Sequence, residues 1–77
     1  SNFDLHINPK TCFVGEVGLS GEIRPVSRLQ ERIQEVTKMG MNTIFVSKYS
    51  KIKTKNSDNY RLLKVCKIQE IIQHLFK

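Results

Sequence analysis

Apolar and polar positions along this chain change period several times, and each change marks an element. Phe3, Leu5 and Ile7 alternate with polar residues, which predicts an extended edge segment closed by an Asn8-Pro9 turn. Cys12 to Val17 is a short run of β-formers, and Glu22 to Pro25 reads as its hairpin partner. Gly18 and Gly21 stand between them, where a tight turn asks for positive φ. Pro25 has no N–H to give a ladder, so it ends the second strand. Ser27 then reads as an N-cap, with Gln30 completing a capping box. A helix is predicted from about Arg28 to Met39, with Leu29, Ile33, Val36 and Met39 in one apolar stripe and Gly40 as its C′ stop.

The next stretch, Thr43-Ile44-Phe45-Val46, is continuously apolar from its second residue. Burial on both faces follows, and hence a central place in a partly parallel sheet. A helix linking two such strands implies a right-handed crossover. Residues 47–61 are polar and read as the longest loop. Leu62 to Cys66 reads as a last strand. Lys67 to Lys77 reads as a second amphipathic helix, with Ile68, Ile71, Ile72, Leu75 and Phe76 on one face and His74 on the other. The expected fold class is α/β (α+β): a small mixed sheet of about four strands with two helices, in the order β-β-α-β-β-α. No repeat or low-complexity segment interrupts it, and Ser1-Asn2 reads as a cloning remnant outside the fold.

Length limits this pattern to one domain. At 77 residues the core is marginal, since a chain of this size buries only about 60–65% of its unfolded surface. Cys12 and Cys66 lie in apolar runs without zinc or disulfide spacing, so they read as reduced packing residues of a cytoplasmic protein. No apolar stretch approaches the roughly 20 residues that cross a bilayer, and no signal peptide is present, so no membrane partner is expected. Thirteen Lys and Arg against seven Asp and Glu give a net charge of +6, which favours acidic partners, nucleic acid first.

Two basic groups stand out. Arg24, Arg28 and Arg32 fall around the start of the first helix, Arg28 and Arg32 one turn apart, and form a candidate phosphate or subunit-interface cluster. Local pairing with Glu31 or Glu35 is the plainer reading. Lys48, Lys51, Lys53, Lys55 and Arg61, interleaved with Tyr49 and Tyr60, form a candidate DNA-binding segment. Lysines attract phosphate without regard to sequence, and tyrosines stack on unpaired bases. Here the plainer reading is a solvated loop whose tyrosines close over the core. Glu16 and Glu22 flank the hairpin turn and read as loop hydrogen-bonding groups. His6 and His74 are isolated. No metal site is expected.

The run Val14-Gly15-Glu16-Val17-Gly18-Leu19-Ser20-Gly21-Glu22-Ile23-Arg24-Pro25-Val26, continued by Ser27-Arg28-Leu29-Gln30-Glu31-Arg32-Ile33, resembles the C-terminal Lon-protease-like domain of the bacterial RadA (Sms) family of DNA repair proteins. The likeness is strong over about residues 12–48 and moderate over 62–77. Ser27-Arg28 and Arg32 favour that family over Lon peptidases and the magnesium-chelatase-related AAA+ ATPases, which remain the alternatives. The resemblance implies a Lon proteolytic-domain-like fold (ribosomal protein S5 domain 2-like), with residues 12–77 as its C-terminal part after an extended segment 1–11. It implies a fragment, because the zinc cysteines, the phosphate-binding ATPase loop and the first half of the Lon-like domain have no counterpart here. ATP, Mg and Zn are therefore expected of the parent and not of this chain. It also implies oligomeric ring assembly and contact with branched or single-stranded DNA.

Lon peptidases use a Ser–Lys dyad, in which the lysine must shed its proton to act as base. The resemblance places Arg32 at the lysine position. A guanidinium with a pKa above about 12 does not serve as a base near neutral pH. Ser20 and Ser27 occupy turn and cap positions, and the serine-bearing segment would lie upstream. No catalytic residue is expected in this chain.

Overall fold

The computed structural model describes residues 2–52 and 60–76. Strand β1 (Asn2–Asn8) pairs antiparallel with β2 (Thr11–Val17), from Asn2 opposite Glu16 to Asn8 opposite Thr11, with a shift of register between His6 and Asn8. Asn2 thus lies inside the ladder and not outside the fold. The hairpin partner of β2 is β3, only Ile23–Arg24. Helix α1 (Leu29–Lys38) leads to β4 (Thr43–Ser47), which runs parallel to β2, and β4 pairs in parallel with β5 (Arg61–Val65) before α2 (Ile68–Leu75). The main sheet order is β1-β2-β4-β5, with β3 on β2. From Thr11 onward the order is the β-β-α-β-β-α of the sequence pattern, and the sheet is mixed.

Alternation along the strands divides the core into two layers. On one face Cys12, Val14, Ile44, Val46 and Leu62 meet Leu29, Ile33 and Val36 of α1, with Met41 beside them. On the other, Phe13, Phe45 and Val65 meet Ile71 of α2 and Ile23 of β3. Ile44, Phe45 and Val46 are all buried, as a central strand with both faces covered requires. Gly15 makes room on the α2 face: a Cβ there would stand 2.7 Å from the Phe13 ring.

Three local expectations are corrected. Ser27 does not cap α1. The cap position is Arg28, in the left-handed conformation (φ 58, ψ 38), with no side-chain cap hydrogen bond. The chain turns at Ser27-Arg28 and drops Leu29 into the core, so the helix starts one residue late. Met39 ends the helix and is 61% exposed, so the α1 stripe stops at Val36. Of the two turn glycines only Gly21 takes positive φ (80°), and Gly40 takes it at the helix end (97°).

The second helix also departs from its pattern. Ile71 is buried and Ile68 partly so, but Ile72 (49%), Leu75 (38%) and Phe76 (82%) are exposed. His74 is exposed, as its place on the polar face predicts, and its ring also stands near-edge-on to Phe45, with centroids 5.4 Å apart. The apolar stripe of α2 is wider than the strip of sheet it covers.

Candidate functional site

The short strand β3 ties the carboxyl end of the sheet together. Ile23 N donates to Cys66 O at 2.8 Å, Ile68 N to Gly21 O at 2.9 Å, and Ser47 Oγ to Ile23 O at 3.0 Å. Glu70 closes the start of α2 by accepting from the backbone N–H of Cys66 and, at 3.1 Å, of Lys67. Those two bonds, with smaller help from Lys48 and His74, hold its carboxyl below the ordinary value despite partial desolvation. Glu22 accepts from Ser20 N at 3.0 Å and pairs with Arg24 Nη2 at 2.8 Å. A hydrogen bond from its own N–H leads the effects that lower its carboxyl pKa, followed by Arg24 and Ser20 against some desolvation. Glu22 therefore does loop work; Glu16 faces Arg24 in the β2–β3 register.

Two of the three arginines have acidic partners close in sequence. Arg24 is engaged by Glu22, Arg28 lies 3.6 Å from the Glu31 carboxylate, and Arg32 joins α1 through its N–H to Arg28 O. The basic segment is divided. Register sets Arg61 opposite Thr43 at the amino end of β4, whereas Lys48 follows Ser47 past the carboxyl end, about 16 Å further along the strands. Lys53 and Lys55 lie outside the described residues. Tyr49 is exposed, while Tyr60 is half-buried against the α1 layer, so the two tyrosines serve different surroundings.

What the structure does bring together is one member of each group. Past β4 the chain folds back over the α1 layer, where Ile52 packs on the core. Between it and the start of α1 lies a groove of about 450 Å³. Arg28, Gln30 and Glu31 line one side, and Ser50, Lys51 and Ile52 the other. Arg28 and Lys51, distant in sequence, face the same space. Ser50 was not singled out by its sequence. It sits in a polar run that gives no periodic sign of burial, yet it is only 7% exposed. Among the described residues no group of three or more His, Cys, Asp or Glu converges as a metal site would require. Neither cysteine is in a disulfide, and Cys12 is fully buried. No helix is long and apolar enough to cross a membrane.

No protein-family model matches the chain. Individual proteins do. DNA repair protein RadA of Streptococcus pneumoniae is 41% identical over 73 residues, covering 95% of this chain and 17% of that protein. These RadA proteins are homologues of this chain. RadA of Bacillus subtilis is 49% identical over 43 residues (56% of this chain, 9% of that protein), and RadA of Listeria monocytogenes 54% over 37 (48% and 8%). The chain thus spans less than a fifth of the RadA proteins it matches.

Proposed function

We propose that this chain is the C-terminal Lon-protease-like module of a RadA-type DNA repair and recombination protein. The observation that carries the reading is the match to pneumococcal RadA, which extends across 95% of the chain. On this reading the module is non-catalytic and cytoplasmic. It supports ring assembly and adds DNA contact while the parent processes branched recombination intermediates. ATP, Mg and Zn belong to parts of the parent outside these residues. Arg32 at the dyad-lysine position supports a module without peptidase activity. Hydrolysis of an unstructured protein by the chain, abolished by Arg32→Ala, would reverse that part.

The net charge of +6 supports DNA contact. Its test is the salt dependence of single-stranded and forked DNA binding by the intact parent, with Lys51, Lys53 and Lys55 neutralised together. Loss of up to three phosphate contacts lowers the slope of log affinity against log salt by about 2–3. An unchanged slope and affinity at low salt would remove the basic segment from the interface.

A role in assembly is supported by Ile72, Leu75 and Phe76, which stand exposed along α2. Sedimentation of the chain at rising concentration tests whether that face self-associates. A monomer throughout, for a chain that remains folded, would argue against it.

A further inference from the structure

The groove at the start of α1 is built from groups that share one chemistry. A helix leaves its first-turn N–H groups without intrahelical carbonyls, and here the cap position supplies no side-chain acceptor for those of Leu29, Gln30 and Glu31. The ten-residue α1 also aims the positive end of its dipole at this space. Arg28 and Lys51 bring two cationic side chains to it. The deciding observation is Ser50. Its Oγ is buried on the groove wall and has no hydrogen-bond partner among the described residues. A buried hydroxyl without a partner is costly and uncommon, and it gains one when a ligand oxygen fills the space.

Each of these groups donates hydrogen bonds, and the two charged ones are positive. We propose that this groove binds one phosphate-class oxyanion, with Ser50 Oγ, the Arg28 guanidinium and the Lys51 ammonium as side-chain donors and the first-turn amides of α1 completing the shell. Hydrogen bonds from charged donors and helix amides suit a tetrahedral oxyanion with several acceptor oxygens. Glu31 is the one acid on the walls, and it engages Arg28 at 3.6 Å. Its carboxylate competes with the oxyanion for the guanidinium. The location agrees with a general property of parallel sheets, in which ligands gather beyond the carboxyl ends of the strands, where β4 ends at Ser47. The oxyanion chemistry stands on the groove alone. That the phosphate belongs to a nucleic-acid strand rests on the proposed DNA contact.

Amide NMR of the chain, titrated with inorganic phosphate at fixed ionic strength, tests the site. Saturable shifts are expected at Gln30, Glu31, Ser50 and Lys51, with no such response to chloride. Ser50→Ala and Arg28→Gln should each weaken phosphate binding by about tenfold while the spectrum stays dispersed, and Glu31→Gln should strengthen it severalfold. Non-saturating shifts spread over the whole basic surface, or wild-type affinity in both Ser50→Ala and Arg28→Gln, would overturn the site. A second titration uses a short oligothymidylate. Saturation of the same amides at lower concentration assigns the phosphate to a strand. If inorganic phosphate saturates the groove and the oligonucleotide moves other residues, the oxyanion site stands and its strand origin falls.

Discussion

The two helices carry similar apolar stripes and meet opposite faces of one sheet, yet they are buried very differently. α1 sinks Leu29, Ile33 and Val36 into a layer that also takes Met41 and the half-buried Val26, Ile52 and Tyr60. α2 buries Ile71 alone and leaves Ile72, Leu75 and Phe76 in solvent. A helical stripe reports what a helix can bury, and the width of the opposing surface decides what it does bury. Here the α1 face is completed by loops from both ends of the sheet. The α2 face is completed chiefly by β3, a strand of two residues.

The largest effect that can break this contrast is Ile33→Ala. Removal of a 3% exposed side chain from the α1 layer should cost about 2–4 kcal/mol in urea unfolding. Ile72→Ala on α2 should cost under about 0.5 kcal/mol. Equal losses would refute the asymmetry. Next is Gly15→Ala, which pushes a Cβ into the Phe13 ring and should cost about 1–3 kcal/mol unless that ring moves. The α2 layer would then show a stiffness its helix does not suggest.

Acid separates the two ends more gently. The Glu70 carboxyl is lowered from 4.5 in the folded chain by the Cys66 and Lys67 amides. Because the folded pKa is the lower one, its contribution is fully present above the unfolded value. It is lost as pH falls below about 4.5 through the folded pKa. Stability followed by circular dichroism should therefore fall in that window, and Glu70→Gln should flatten the decline. The smallest effect belongs to Ser27→Ala. A true N-cap would cost about 1 kcal/mol, whereas this serine should change stability by less than about 0.5 kcal/mol, because Arg28 holds the cap position.

Residue pattern was a good guide wherever burial was two-sided or strictly periodic. The apolar run of β4 located the centre of the sheet, and the spacing of Leu29, Ile33 and Val36 located α1. Pattern misled where tertiary packing chose between local options. Ser27 has the chemistry of a cap, but the need to bury Leu29 moved the turn past it. The groove was half visible. Arg28 and Lys51 were each apparent as charges, but only a fold that returns residues 50–52 to the head of α1 joins them. Ser50 carries no local mark of its burial at all.

The small size of β3 conceals its reach in time as well as in space. Its hydrogen bonds couple the Gly21 turn to the first residue of α2 and Ile23 to the end of β5. These contacts link segments far apart in the chain, so they close late in folding, after the loops between them have paid their entropy. Once closed, neither the hairpin tip nor α2 can lift away without breaking the bond it shares with the other. The amides of Ile23 and Ile68 should then exchange with solvent in a single opening event, making two peripheral elements one cooperative unit.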